Sequence, residues 1–174
     1  DHRRLIDEIA MKLTKMFRSS AAALGCLLAL ISCRQGPDIA SGPLAPEDVK
    51  VVDHLVAVLG HESCVLELVD PASGEKVKSI RLAQPPNGMA VDGATAYVAE
   101  GGPRGAVEVV DLKSGALKRS FPAGHTPMSP VVRGGKLYVA CRFDSRVLEM
   151  DAAAGQVVNS GNVTRDPVAL AVSP

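Results

Sequence analysis

Beyond residue 50 the chain alternates short apolar runs with polar punctuation. "VLELVD" from Val65, "AVEVVD" from Ala106 and "RVLEMD" from Arg146 each stop at an aspartate, Asp70, Asp111 and Asp151. Runs this short, rich in Val and Leu and bounded by turn residues, read as strands. Each leads into "PASGE", "LKSGA" or "AAAGQ". There the Asp carboxylate caps a type I turn and Gly74, Gly115 or Gly155 supplies a positive φ, which predicts a hairpin with a bulged turn. A return strand runs through "KVKSIRL", "LKRSF" and "QVVNS", then a Pro-containing loop, then a third strand in "NGMAV", "MSPVV" and "VALAV". "DGATAYVA" and "RGGKLYVA" make a tight hairpin into a fourth. No good helix is expected after Cys33.

These rows hold register at several landmarks at once: Asp70, Asp111, Asp151; Gly74, Gly115, Gly155; Pro86, Pro127, Pro167; and Tyr97, Tyr138, in steps of 41 or 40 residues. Fixed self-similarity near forty residues marks a repeat architecture. Four antiparallel strands per repeat define the blade of a β-propeller. The expected fold class is therefore all-β: a β-propeller of four-stranded antiparallel blades, incomplete, preceded by a signal-peptide helix. Blades are expected at about 49–82, 87–121 and 128–160, with the start of another at 167–174. Leu55 to Leu59 serves as the second strand of the first blade. Three blades and one strand do not close a ring, which takes about four to eight. The chain, which starts at Asp1 rather than Met, is expected to continue past Pro174, or else to assemble with other copies; continuation is the favoured expectation.

The N-terminal part has a different character. Lys12, Lys15 and Arg18 precede an apolar run of eleven residues, Ala21 to Ile31. As a helix that run spans roughly 16 Å against a bilayer core of about 30 Å, so it reads as a signal-peptide core and not a membrane span. It ends "LISC" at Cys33, which resembles a bacterial lipobox. The resemblance implies that Cys33 becomes the mature N-terminus and carries lipid, several acyl chains giving stable anchoring. Residues 1–15 read as a mis-assigned leader or an extended n-region, 16–32 as signal peptide, 33–48 as linker and 49–174 as the partial propeller. The expected address is the cell envelope, exported and lipid-anchored, on the periplasmic or outer-membrane side.

Nineteen basic residues balance nineteen acidic ones, so no sequence-wide field draws nucleic acid, which is not an expected partner. Trp is absent, and three Phe and two Tyr leave a core of Val, Leu and Ala. Cys64 and Cys141 fall in the first and third blades and are expected to be free thiols, since a bridge needs Cα atoms within about 7 Å. There is no C-x-x-C-H for a c-type haem, and no cofactor is assigned.

Candidate chemistry is sparse. The strands expected to line the axis, "NGMAV", "MSPVV" and "VALAV", offer only Asn87 and Ser129 as polar groups, which argues against acid–base catalysis in the channel. One end of the disc should collect the repetitive turns. The other should collect loops that differ between repeats and hold His61, Arg104, His125, Arg142, Phe143, Asp144, Arg165 and Asp166. Variable loops on a regular scaffold are where recognition is placed, and an unknown protein or small ligand is the expected partner there. His125 and Asp166 stand close to equivalent positions, but two ligands do not specify a metal site, and none is assigned.

The repeat rows, "VEVVD", "SG", the loop Pro and "YVA", resemble the YVTN-type β-propeller repeats of bacterial and archaeal cell-surface proteins. The resemblance covers about Leu55 to Pro174. The Asn usual after Y-V-x is here Glu100 in one row and Cys141 in the next. WD repeats share the architecture, but their Trp-Asp signature cannot exist in a chain without Trp. The resemblance implies a non-catalytic binding or scaffold module, with membrane attachment through the lipid anchor. Two alternatives stay open. One is a propeller enzyme, either a lactonase-like hydrolase or a quinoprotein-type dehydrogenase, or a propeller fused to a c-type cytochrome. The other is a structural surface-layer element.

Overall fold

The structure, a computed structural model, describes residues 44–173. The expected leader, the signal peptide, Cys33 and most of the expected linker lie outside those residues. Twelve strands follow in chain order: β1 Pro46–Val52, β2 Leu55–Gly60, β3 Val65–Val69, β4 Lys76–Arg81, β5 Pro86–Asp92, β6 Thr95–Glu100, β7 Ala106–Asp111, β8 Ala116–Pro122, β9 Pro127–Arg133, β10 Lys136–Cys141, β11 Arg146–Asp151 and β12 Val157–Asn162. They form three antiparallel four-stranded sheets in simple sequential order, β1 to β4, β5 to β8 and β9 to β12. Three such blades, with β1, β5 and β9 innermost, are an open arc of a β-propeller. Among the described residues a single 3₁₀ turn, Arg142–Asp144, interrupts the strands.

The first blade differs from expectation in one respect. The linker expected over 33–48 gives way at Pro46, where β1 begins and pairs with β2 from Pro46 opposite Gly60 to Val52 opposite Leu55. Pro46 is therefore the first member of a series with Pro86, Pro127 and Pro167, in steps of 40, 41 and 40. At the other end, residues 167–173 form no strand. They nevertheless run beside β9, where Ser129 Oγ donates to Val168 O at 2.8 Å and Arg133 Nη1 donates to Ser173 O.

The turns form for the local reason read in the sequence. Asp70 Oδ1 accepts the Ala72 N–H at 2.8 Å, Asp111 Oδ1 the Ser114 N–H at 2.8 Å, and Asp151 Oδ1 those of Ala153 and Ala154 at 2.9 and 2.7 Å. Gly74, Gly115 and Gly155 sit at φ 73°, 79° and 69° and each donates its N–H back to the carbonyl of that aspartate. A positive φ with a Cβ strains the backbone, so glycine is the residue that closes the turn. The Ser114 N–H and the Lys118 ammonium hold Asp111 down to about 2.

Packing between blades makes the core. The middle strands β3, β6 and β7 are buried along almost their whole length, and blade 2, lying between the other two, shares an apolar core with each. Alternation then sorts the side chains: on β6, Ala96 and Val98 enter the core shared with blade 1, beside Leu59, Leu66 and Ile80, while Tyr97 enters the core shared with blade 3, beside Leu137, Leu148 and Met150. The outer strands are wet, β12 being exposed throughout. Basic side chains there clamp the next blade: Lys78 Nζ donates to Leu112 O at 3.2 Å and to Lys113 O, and Arg119 Nη1 donates to Ala153 O. Lys78 faces Leu68 and Arg119 faces Val109 in equivalent strand pairs, so this clamp is a repeated feature.

Candidate functional site

Antiparallel order sends the connections to two ends. One end takes the tight turns at 53–54, 70–75, 93–94, 112–115, 134–135 and 152–156; the other takes 61–64, 82–85, 101–105, 123–126, 142–145 and 163–166. At this second end each blade repeats one brace. The residue that follows its second strand donates its N–H to the loop preceding its innermost strand: His61 to Ala45 O at 3.0 Å, Gly101 to Pro85 O at 3.1 Å, Arg142 to Thr126 O at 3.1 Å. The brace uses main-chain atoms only, which leaves the side chains of these loops to differ.

The residues singled out in the sequence all lie at this end, and the structure brings four of them together. His125 donates its backbone N–H to Asp144 Oδ2 at 2.9 Å. Its ring meets Phe143 with centroids 5.0 Å apart and planes at 57°, a tilted arrangement that aromatic pairs favour. The Arg142 guanidinium carbon lies 5.0 Å from the Phe143 centroid, within cation–π range. A fifth residue completes the cluster. Arg146, which the sequence reading passed over as the start of a strand, places Nη2 3.4 Å from Asp144 Oδ2.

The others stand apart. His61 Nδ1 donates to Pro86 O at 2.7 Å and ties the first blade to the start of β5. Arg104 is exposed and lines a shallow groove of about 510 Å³ with Pro103, Gly105, Ala106, Ser120, Pro122 and Gly124. Arg165 and Asp166 are exposed. By the Pro127 to Pro167 step, Asp166 is the mate of Thr126 and Arg165 that of His125. Thr126 and Asp166 both adopt a positive φ, 52° and 53°. Among the described residues no three His, Cys, Asp or Glu side chains converge to hold a metal.

Cys64 and Cys141 are both free. Cys141 is fully buried, with Sγ 3.0 Å from Ala123 O. Burial first, and the Asp144 carboxylate second, push its thiol up.

The axis is more polar than the sequence reading allowed. Because β1 is the innermost strand of the first blade, Glu47, Asp48 and Lys50 face an axial trough of about 460 Å³ beside Asn87, Met128 and Ser129. Asp48 is committed, however. Its Oδ1 takes the Lys50 ammonium at 2.6 Å and its Oδ2 accepts the Met89 N–H at 2.9 Å, joining the innermost strands of blades 1 and 2. Asn87 Nδ2 likewise donates to Gly101 O at 2.9 Å and Pro127 O at 3.2 Å.

Glu100 and Glu108 form a buried pair that no sequence signal announced, each under a tenth exposed. Glu100 Oε1 has no donor, and Glu108 Oε2 is 3.4 Å from the Ala83 N–H. Desolvation, then the hydrogen bond and charge of Glu108, push Glu100 up to about 9. A proton on Glu100 satisfies the two carboxyls together.

No family model and no curated protein matches this chain. Among solved structures it is similar to hydrazine synthase of Kuenenia stuttgartiensis, with a TM-score of 0.67 and 19% identity over 78% of this chain and 41% of that one. It is similar to the WD40 repeats of RRP9, with a TM-score of 0.63 and 17% identity over 72% and 41%. It is also similar to apo AztD from Citrobacter koseri, with a TM-score of 0.56 and 21% identity over 66% and 33%. The chain thus spans about two fifths or less of the length of these structures. At such identities the common property is the fold, and it defines the class: the chain folds as three successive blades of a β-propeller.

Proposed function

We propose that this protein is an exported β-propeller of the YVTN-repeat type, anchored by lipid at Cys33, whose variable-loop end binds a partner without catalysing a reaction. One observation carries the reading: the two ends of the arc are built differently. At the turn end, the Asp and Gly groups and the basic clamps are consumed by main-chain hydrogen bonds within and between blades. At the loop end, the main chain braces itself and the side chains of Arg104, His125, Arg142 and Phe143 are left to recognition. The acidic groups of the interior support a binding role rather than an acid–base one, since Asp48 is tied to Lys50 and Met89 and the Glu100 and Glu108 carboxyls are shut away from solvent.

Two measurements test the reading. In cells fed radiolabelled palmitate, the wild type takes up label and Cys33→Ser does not; equal labelling of both removes the anchor. A photo-crosslinking residue placed at Phe143 yields a discrete adduct, whereas one placed at Gly134 on the turn end does not. Equal crosslinking from both ends removes the binding role.

A further inference from the structure

The repeat shows what each blade requires at the loop end, and so what blade 3 carries beyond that requirement. Arg146 opens β11 opposite Cys141, where blades 1 and 2 have Val65 opposite Gly60 and Ala106 opposite Glu100. Arg142 occupies the braced position held elsewhere by His61 and Gly101. Strand pairing therefore needs neither guanidinium. Both bury an Nε that has no acceptor among the described residues, while the Arg146 side chain as a whole is 42% exposed, so a ligand reaches it through its terminal nitrogens. Asp144 already takes the His125 N–H and a long contact to Arg146, while the Arg142 guanidinium lies over the Phe143 ring and makes no ion pair among the described residues. Phe143 beside them is 53% exposed. Gly124 then joins this cluster to the Pro103, Arg104 and Pro122 groove: it lines that groove, and a Cβ on it would come within 2.6 Å of Asp144 Oδ2.

We propose that the loop end of blades 2 and 3 binds an extended acidic peptide segment of a partner protein. Arg142 and Arg146 take one carboxylate, Phe143 packs against the peptide chain, and a neighbouring apolar side chain enters the groove between Pro103 and Pro122. The planar guanidinium suits a carboxylate, and exposed Arg and aromatic residues are the types that anchor protein interfaces. The apolar walls of the groove have no use for an isolated inorganic anion. The inference rests on the loop-end binding role and names its ligand.

The test is fluorescence anisotropy of a labelled peptide, Ala-Glu-Leu-Glu-Ala-Glu-Leu-Glu, with the full chain in low salt, beside the same peptide with Gln for Glu. The acidic peptide is expected to saturate below about 1 mM and the Gln peptide to bind at least about tenfold more weakly. Arg142→Gln and Arg146→Gln each weaken binding about tenfold, and Phe143→Ala several-fold, with thermal unfolding unchanged. The double variant Arg142→Glu, Arg146→Glu prefers a peptide with Lys in place of Glu, an inversion that misfolding does not produce. Absence of saturation overturns the proposal, as does inorganic phosphate displacing the peptide at equal concentration. If binding ignores Arg142, Arg146 and Phe143 but is lost in Arg165→Gln, this site falls and the loop-end role stands. If it ignores every loop-end substitution, the proposal falls, and crosslinking from position 143 decides the loop-end role separately.

Discussion

Gly155 has no room for a side chain because the ring of Phe121, in the outer strand of the preceding blade, lies over it: a Cβ there would sit 2.0 Å from Phe121 Cδ1. The turn glycine thus has two duties, a positive φ within its own hairpin and a flat surface for the neighbouring blade. Gly74 makes the same turn at φ 73° with no described atom within 4 Å of such a Cβ.

Gly74→Ala therefore isolates the backbone cost, about 1 kcal/mol. Gly155→Ala adds displacement of a buried ring and is expected to cost about 2–4 kcal/mol. Urea unfolding of the two variants gives the comparison. Equal losses would show that Phe121 does not depend on the missing Cβ.

Glu100 makes stability depend on pH in the direction opposite to most carboxylates. Its pKa in the folded protein is raised to about 9, so between its ordinary value and that one the folded state holds a proton that the unfolded chain has released. Its contribution is complete below about pH 4.3 and declines as pH rises toward 9. Glu100→Gln, which supplies a permanent donor, is expected to match the wild type near pH 4 and to exceed it by roughly 3–5 kcal/mol at pH 8. A difference that does not change with pH removes the shared proton.

Asp48 joins two innermost strands through the Met89 N–H. Asp48→Ala leaves that N–H without its acceptor and should cost about 1–3 kcal/mol, while Asp48→Asn keeps an oxygen in place and should cost less. Denaturation midpoints distinguish the two, and equal loss from both would remove the strand-to-strand tie.

Cys141 is buried, with a thiol pushed up by desolvation and by Asp144, and Cys64 is only half-buried. Iodoacetamide at pH 8 should modify Cys64 in the native protein and reach Cys141 only when the core opens. Peptide mapping over time reads both rates. Comparable rates would place Cys141 at the surface.

What was legible in the sequence was local. An Asp that caps its own turn, a Gly four residues on and a Pro opening each innermost strand act through the backbone of their own segment, so the repeat shows them directly. Pro46 belongs to the same series but is followed by two acidic residues, Glu47 and Asp48, that mask the start of the strand. Its first three residues, Pro46 to Asp48, fall in the stretch expected as linker, and the Glu47 and Asp48 carboxyls at the axis with them. The Pro step alone would have found them. Arg146 was legible only as a departure from Val65 and Ala106 at the matching position. Nothing in the sequence paired Glu100 with Glu108, since their proximity comes from two strands of one sheet closing under the 82–85 loop.

The sequence by itself determined the unit: four short strands, their turns and a forty-residue period, because strand pattern and turn chemistry are set within a few residues. Only the tertiary structure decided which side chains meet. Blades stack face to face, so a residue's neighbours come from a segment some forty positions away. That stacking crowds Gly155, whereas the pairing of β9 with β10 inside blade 3 gathers His125 with Phe143 and Asp144 at one end of the arc.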